Sequence, residues 1–290
     1  MKKPLFTGVC TALVTPFLED QVNYPMMEML LRRQIEAGIP AVVVAGTTGE
    51  APTLSDGEKL ELIRRAKDYA GDACTILAGT GSNSTEHTVA LSRAAEEAGA
   101  DALLVVTPYY NKATPDGLVA HYATIADSVR IPIILYNVPS RTGVDIPVSV
   151  YRRLSVIPNI AGVKEASTDI TKIARIIHEC PKDFYIWSGN DEQTVPAMAL
   201  EAKGVVSVVS NLCPVETQRM AQAALNGDFD TAAAIQIQLL PLIDLLFCEV
   251  NPIPVKEAMG LIGYDCGPCR LPLTKLTREN RAKLMKYLQK

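Results

Sequence analysis

The sequence has little histidine and no strong net charge, and each shortage argues against a class of protein. Only three histidines, His87, His121 and His178, occur in 290 residues, each in a stretch with a helical pattern and without a partner at metal-ligand spacing. We expect them to be ordinary surface residues and expect no metal site. A formal charge of −4, with no basic stripe interleaved with aromatic residues, argues against a nucleic-acid partner.

Long apolar runs and paired cysteines are also lacking. No uninterrupted apolar run reaches the roughly 18 residues of a membrane span, because polar residues and Pro241 interrupt the most apolar segment, 232–250. The first residues include no apolar core of a signal peptide. Seven cysteines, an odd number scattered along the chain, fit a reducing compartment better than a disulfide framework. We therefore expect a cytoplasmic protein with no membrane partner.

What the sequence does contain is a repeated apolar pattern. Eight short runs are apolar throughout rather than alternating, and most are rich in β-branched residues, as is typical of strands buried on both faces of a parallel sheet. These predicted strands are residues 6–14, 41–45, 74–78, 102–106, 131–136, 160–164, 184–187 and 205–209.

Helical patterns separate the predicted strands. The first three, 26–37, 57–70 and 85–98, each stop at a glycine, the residue that most easily ends a helix in the left-handed conformation. Residues Ser55 to Glu58 have the spacing of a capping box. Strand and helix alternating eight times predict a (β/α)8 TIM barrel. A doubly wound open sheet is the alternative, but the first strand leads to Thr15-Pro16-Phe17 rather than to a glycine-rich phosphate loop.

The last barrel helix is predicted at 214–226, and three helical patterns remain beyond it, at about 231–250, 254–262 and 278–289. They cannot belong to an eightfold unit. We therefore predict a catalytic barrel over 1–227 and a C-terminal three-helix appendage over 228–290.

In such a barrel the active site lies at the carboxyl ends of the strands. A lysine nucleophile with phenolic proton relays and no metal indicates carbonyl chemistry through a Schiff base. Purely structural roles stay open for these residues. A strand-end lysine can extend its amine to solvent, and a strand-end tyrosine can cover the apolar core. The residues that collect at these ends are Thr47, Thr48, Tyr109, Tyr110, Tyr136, Lys164, Gly189 and the segment around Val206.

Five strings at these positions together resemble the pyruvate-dependent class I Schiff-base lyase/aldolase family. The resemblance runs from about residue 5 to the C-terminus. The strings are Gly46-Thr47-Thr48-Gly49-Glu50, Thr107-Pro108-Tyr109-Tyr110-Asn111, Tyr136-Asn137-Val138-Pro139-Ser140-Arg141-Thr142-Gly143, Gly162-Val163-Lys164-Glu165-Ala166 and Asn251-Pro252-Ile253-Pro254-Val255-Lys256.

The resemblance implies that Lys164 forms an imine with the C2 carbonyl of pyruvate, with no external cofactor. Tyr136 would relay protons, and Thr48 would bridge it to Tyr110 of a neighbouring subunit. Assembly as a homotetramer, a dimer of dimers, is implied for the same reason.

The remaining site residues follow from the same resemblance. Thr47 and Thr48 would hold the carboxylate of pyruvate, Arg141 would bind the acid group of L-aspartate-4-semialdehyde, and Gly189 and Val206 would present backbone carbonyls near Lys164. The implied reaction condenses these two substrates, the first committed step of the diaminopimelate route to lysine.

Three other functions fit the sequence less well. An aldolase for N-acetylneuraminate or a 2-keto-3-deoxy-sugar acid is the alternative within the family, but such relatives generally lack the Ser-Arg-Thr-Gly string. A catalytically silent keto-acid-binding or regulatory barrel is disfavoured by the intact set of reactive residues. Cys266-Gly267-Pro268-Cys269 matches a redox string, but no strand precedes it and no further metal ligands lie near, so we expect neither redox nor metal chemistry there.

The sequence also predicts weak or absent feedback inhibition by lysine. Asn83 and Tyr109 match the residues with which sensitive family members bind lysine, whereas Ala51, Lys59 and His87 do not. A cationic Lys59 would repel the ammonium of an incoming lysine. Initial rates measured against added lysine should change little, and strong inhibition at micromolar lysine would contradict the prediction.

Overall fold

The computed structural model describes residues 2–289 and contains a closed barrel of eight parallel strands. The strands are β1 (Gly8–Ala12), β4 (Ala41–Val44), β5 (Thr75–Gly79), β6 (Ala102–Val106), β7 (Ile133–Asn137), β8 (Ile160–Glu165), β9 (Tyr185–Ser188) and β10 (Gly204–Ser207). The order around the barrel is β1, β10, β9, β8, β7, β6, β5, β4 and back to β1. Each of the eight predicted runs overlaps a barrel strand, although four strands end one residue beyond the predicted run and β10 begins one residue before it, and the predicted TIM barrel is confirmed.

Helices surround the barrel and continue past its last strand. They are α1 (Tyr24–Glu36), α2 (Asp56–Ala70), α3 (Thr85–Glu97), α4 (Pro115–Ser128), α5 (Pro139–Thr142), α6 (Val148–Leu154), α7 (Ile170–Glu179), α8 (Thr194–Ala199), α9 (Pro214–Leu225), α10 (Phe229–Leu246), α11 (Ile253–Leu261) and α12 (Arg278–Leu288). The capping box at the start of α2 is confirmed, since Ser55 and Glu58 each bond the other's backbone N–H.

A small hairpin was missed by the sequence analysis. Strands β2 (Phe17–Leu18) and β3 (Gln21–Val22) pair antiparallel after β1. Each is two residues long, too short to produce an alternating pattern. The turn is made by Glu19 and Asp20, both at positive φ.

Two apolar layers fill the molecule. The inner layer fills the barrel and includes Trp187, whose ring stacks on that of Phe6 with 5.0 Å between centroids. The larger outer layer lies between the strands and the helices. Because residues alternate along a strand, every barrel strand except β8 contributes apolar side chains to both layers, which explains why most of the runs are apolar throughout.

The first C-terminal helix, α10, packs against the barrel helices α8 and α9, and α11 and α12 pack against α10 and against each other. Gln236 of α10 accepts from the backbone N of Val195 at 3.3 Å and donates to the backbone O of Asp191 at 3.0 Å. The proposed division at 227/228 falls in the turn between α9 and α10, where Gly227 has φ 81°. By length and composition alone, α10 is the one helix in the described part of the chain that could cross a membrane, a test that core helices of globular proteins also pass.

His121 differs from its prediction as a surface residue. It lies on α4 with only 5% of its surface exposed, and its Nδ1 lies 2.8 Å from Thr85 Oγ1. Its Nε2 has no hydrogen-bond partner among the described residues. The helical pattern of 115–128 is amphipathic, and the sequence offers no sign that a histidine takes a core position in it. Burial lowers the pKa of His121 to about 4.

This burial predicts a loss of stability in acid. Because the unfolded chain takes up the His121 proton near pH 6.5 and the native state only near pH 4, the free energy of unfolding should fall between these values. The loss is at most roughly 3 kcal/mol, since one pKa unit corresponds to about 1.4 kcal/mol. Urea unfolding across this range should show a shallower loss for His121→Gln than for the wild type. His178→Gln, at an exposed position, is the control, and parallel curves for all three proteins would contradict the assignment.

Candidate active site

Lys164 and Tyr136 lie side by side near the carboxyl ends of neighbouring strands. They are register partners on β8 and β7, and Lys164 Nζ lies 4.1 Å from the centroid of the Tyr136 ring. Both side chains are buried. Tyr136 belongs to the inner layer, and so does Trp187, the register partner of Lys164 on β9. The lysine predicted from sequence therefore lies inside the barrel rather than extending to solvent.

Lys164 has no carboxylate partner in the part of the chain that the structure describes. The next residue, Glu165, points to the outer layer, where it accepts from Asn137 Nδ2 at 2.8 Å and from Tyr151 Oη at 2.9 Å. Lys172 pairs with Glu165 at 3.7 Å and contacts Asp145. The carboxylates of Glu165 and Asp145 are thus paired with another lysine, and the Lys164 amine stays available to a ligand.

The loop that carries Thr47 and Thr48 is bracketed by two residues in the left-handed conformation. Ala45 has φ 53° and Glu50 has φ 57°, values that cost free energy in residues other than glycine. Tertiary contacts hold the loop in place. Both side chains of the ion pair between Glu50 and Lys256 of α11 are almost fully buried, with 2.8 Å between Oε1 and Nζ. Glu50 Oε2 also accepts from the backbone N of Arg270 at 2.9 Å.

A residue from the C-terminal part of the chain forms a hydrogen bond with Thr48. Asn251 Nδ2 donates to Thr48 Oγ1 at 3.0 Å, and both side chains are buried. Within residues 2–289 no hydrogen bond joins Thr48 to Tyr136 directly. The two residues nevertheless line the same cavity.

That cavity measures about 330 Å³ and brings most of the predicted site residues together. Thr47, Thr48, Tyr136, Arg141, Lys164 and Gly189 all line it. No carboxylate among the described residues pairs with Arg141, so its guanidinium is free for a ligand acid group. The lining residues that the sequence analysis did not name as site residues are Ala12, Val43, Gly46, Leu104, Val138, Ser140, Ala166, Asn190, Glu192, Val208, Ile243, Asp244, Phe247 and Asn251.

Two predicted site residues lie outside this lining. Val206 places its side chain in the inner apolar layer of the barrel, and Val208, two residues further on, lines the cavity instead. Tyr110 is 87% exposed and has φ 74°. An exposed tyrosine with a left-handed backbone is unusual. Tyrosine does not favour this backbone conformation, and the exposed side chain has few contacts within the chain that would stabilise it.

A second cavity, of about 700 Å³, contains the residues considered for lysine inhibition. Ala51, Lys59, Asn83, His87 and Tyr109 all line it. Asp56 binds both Lys59 Nζ at 3.2 Å and His87 Nε2 at 2.7 Å, and the His87 bond holds the pKa of the Asp56 carboxyl below its usual value. Asp56 therefore offsets part of the Lys59 charge, which weakens the repulsion argument drawn from sequence. Weak inhibition stays a prediction.

The Cys266 and Cys269 thiols are free, and both lie in the segment that packs near Glu50. Burial raises the pKa of each to about 12, so neither is a thiolate at neutral pH. Within residues 2–289 no group of three or more histidine, cysteine or acidic side chains is arranged to hold a metal ion.

Comparison with known proteins places this geometry in a family. A family model described as the dihydrodipicolinate synthetase family matches residues 5–290. The chain belongs to this family. It is 47% identical over 280 residues to the 4-hydroxy-tetrahydrodipicolinate synthase of Acetivibrio thermocellus, covering 97% of this chain and 95% of that protein.

Solved structures of the dihydrodipicolinate synthetase family match the fold over almost its whole length. The enzyme from Aquifex aeolicus superposes with a TM-score of 0.96 at 43% identity, covering 98% of this chain and 97% of that one. A chloride-inhibited enzyme from Acinetobacter baumannii, solved in complex with pyruvate, has a TM-score of 0.96 at 41% identity and 98% coverage of both chains. These relatives are named as synthases, which does not support the aldolase alternative.

The buried pair that holds the site loop leads to a stability prediction. Lys256→Met leaves the Glu50 carboxylate buried without its ion-pair partner, so the free energy of unfolding should fall by about 3–5 kcal/mol in urea. The double variant E50Q/K256M should recover part of the loss, because no charge is left unpaired. Lys283→Met removes the partner of the exposed Glu279 and should cost less than about 1 kcal/mol. Equal effects of the two single Lys→Met changes would contradict the role given to Glu50–Lys256.

Proposed function

We propose that the chain is a 4-hydroxy-tetrahydrodipicolinate synthase, a lyase that condenses pyruvate with L-aspartate-4-semialdehyde. The observation that carries the proposal is the buried Lys164 amine, without a carboxylate partner in the described chain, lining one cavity with Tyr136 and a free Arg141. This combination suits a ketone that becomes covalently bound and a second substrate that carries an acid group. Membership of the dihydrodipicolinate synthetase family supports the same substrates.

The first step forms the covalent intermediate. Lys164 Nζ attacks C2 of pyruvate, the carbonyl oxygen leaves as water, and an imine joins the lysine to the three-carbon unit. The hydroxyl and amide groups of Thr47 and Thr48, at the opposite wall of the cavity, hold the pyruvate carboxylate. Gly189 and Val206 are assigned as residues whose backbone carbonyl oxygens accept hydrogen bonds in the site, Gly189 from the cavity wall and Val206 from the strand behind it. No external cofactor takes part.

The second step makes the carbon–carbon bond. Loss of a proton from the methyl carbon converts the imine to an enamine, which attacks the aldehyde carbon of the semialdehyde while Arg141 holds the acid group of that substrate. Tyr136, whose ring lies against Lys164 Nζ, is the proton relay. The amine of the semialdehyde unit then attacks the imine carbon and displaces Lys164, which closes the heterocycle and frees the enzyme.

Tyr110 is assigned to the site of a neighbouring subunit in a homotetramer, a dimer of dimers. The exposed side chain and the left-handed backbone of Tyr110 support this assignment. A strained backbone persists when surrounding contacts stabilise it, and a neighbouring subunit would supply such contacts. The chain's own cavity lacks this tyrosine. We also propose a cytoplasmic location for the protein, since all seven cysteines are free thiols.

Borohydride trapping tests the central step. Incubation with pyruvate and borohydride should add a reduced three-carbon unit to Lys164, which peptide mass spectrometry locates. Lys164→Met should abolish the adduct and lower turnover of pyruvate with aspartate semialdehyde by at least about 10³-fold, because the covalent route is lost. Lys182→Met, at an exposed position, should leave both unchanged.

The same preparations should be assayed for cleavage of N-acetylneuraminate. Turnover with the semialdehyde and none with the sugar acid supports the synthase. An adduct at a different lysine, or full activity of the Lys164→Met variant, would refute the proposed mechanism.

A further inference from the structure

We propose that Asp244 binds the ammonium group of the second substrate and so distinguishes an amino-acid aldehyde from an aldehyde acid without an amine. The inference rests on the proposed function, because it concerns the L-aspartate-4-semialdehyde of that reaction. Asp244 lies on α10 and lines the cavity of about 330 Å³ that also contains Lys164 and Arg141. The reaction steps described above assign the acid group of the semialdehyde to Arg141 and leave its ammonium without a partner.

Four charged side chains line this cavity, and none of them pairs with another among the described residues. Lys164 and Arg141 are the cations, and Glu192 and Asp244 are the carboxylates. Both carboxylates are exposed, and neither has a hydrogen-bond partner in the described part of the chain. In a cavity that receives the acid groups of two substrates, an unpaired carboxylate opposes binding unless it faces a positive charge. The ammonium of the semialdehyde is the positive charge that the substrates bring.

The part of α10 that lines the cavity is suited to an ammonium group. Phe247 directly follows the last residue of α10, three positions after Asp244, and residues at this spacing lie on one face of a helix. Both side chains line the cavity. A carboxylate and the face of an aromatic ring each attract a cation. The Phe247 side chain is 42% exposed, so a ligand can reach its ring.

A buried amide in the same cavity lacks one of its partners. One end of the Asn251 amide bonds Thr48, and the other end is buried without a hydrogen-bond partner among the described residues. Asn251 is more than nine-tenths buried and lines the cavity. Because an unpaired buried polar group costs free energy, a ligand that bonds this amide gains affinity. The segment from Asp244 to Asn251 therefore presents a charge, an aromatic ring and an unfilled hydrogen-bond position to the cavity.

Two charged contacts would fix the orientation of the semialdehyde. Its acid group and its amine are attached to the same carbon atom. Arg141 alone leaves the molecule free to rotate about the acid group, whereas a second contact at the ammonium directs the aldehyde carbon towards the enamine on Lys164. A protonated amine cannot attack the imine, so the contact with Asp244 acts in binding and is released before the ring closes. Its loss should therefore raise KM and leave kcat almost unchanged.

The variant Asp244→Asn tests this contact, because it keeps the size of the side chain and removes its charge. At saturating pyruvate, KM for L-aspartate-4-semialdehyde should rise by about 3- to 10-fold, the loss expected for one charged contact near solvent, with kcat within about twofold of the wild type. The matched control is Asp230→Asn, at an exposed position of the same helix outside the cavity lining, which should leave both constants unchanged. Glu192→Gln removes the other carboxylate of the cavity and should raise KM less than D244N does.

Succinic semialdehyde separates recognition of the amine from general effects on the cavity, because it has the same aldehyde and acid group but no amine. Its inhibition constant against the amino-acid substrate should stay the same or fall in D244N, since no ammonium contact is lost and a repelling carboxylate is removed. A parallel rise of this constant and of KM would overturn the inference. An unchanged KM in D244N, or an equal rise of KM in E192Q, would also overturn it.

The first substrate provides a check on the integrity of the site. Pyruvate has no ammonium group, so D244N should form the borohydride-trapped adduct on Lys164 as the wild type does, and a lost adduct would mean that Asp244 supports the whole site. No turnover of pyruvate with the semialdehyde by the wild type refutes the proposed function. Wild-type turnover with an unchanged KM in D244N refutes only the role of Asp244.

Discussion

The buried ion pair between Glu50 and Lys256 is the contact on which the mouth of the barrel depends. Glu50 terminates a loop that holds two residues in the left-handed region, and an unpaired carboxylate at that depth would favour a different path for the chain. Lys256 in turn donates to the backbone O of Pro268 at 3.1 Å and lies 4.3 Å from the centroid of the Phe17 ring. The early hairpin, the site loop, α11 and the 266–270 segment therefore meet at one pair of charges, and the hydroxyls of Thr47 and Thr48 are positioned as a result.

Alternation along β7 and β8 separates reactive groups from structural ones. Tyr136 and Lys164 face the barrel interior, while Asn137 and Glu165, one residue further along each strand, face outward and bond each other at 2.8 Å. Lys172 neutralises the outward carboxylates. A lysine nucleophile of this kind must be buried and must have no carboxylate partner. The strand geometry meets both requirements, because neighbouring residues on a strand face opposite layers, so the lysine and the carboxylate beside it are separated.

The fold could be predicted because apolar runs mark strands, and six of the cavity-lining residues could be predicted because they lie at the ends of those strands or in a string typical of the family. Most of the other lining residues carry no such local signal. Asn251 and Lys256 were present in a quoted string, but their partners lie more than 200 residues away and no local rule pairs them. The lysine in the otherwise apolar string Ile253-Pro254-Val255-Lys256 was the available signal of a buried charge. The burial of His121 depends on how α3 and α4 pack against each other. The exposure of Tyr110 accompanies a left-handed backbone conformation that the sequence does not reveal.

The reach of the C-terminal helices into the site also has a consequence for synthesis on the ribosome. All eight barrel strands have been translated once residue 207 has emerged, but Asn251, Lys256 and Arg270 have not. Until they arrive, the loop at Thr47 and Thr48 lacks both of its anchors, so a nascent barrel has its lysine without a finished pocket around it. The loop can therefore be anchored only after the C-terminal helices have been translated, and a barrel without them would carry the reactive amine beside an unanchored loop.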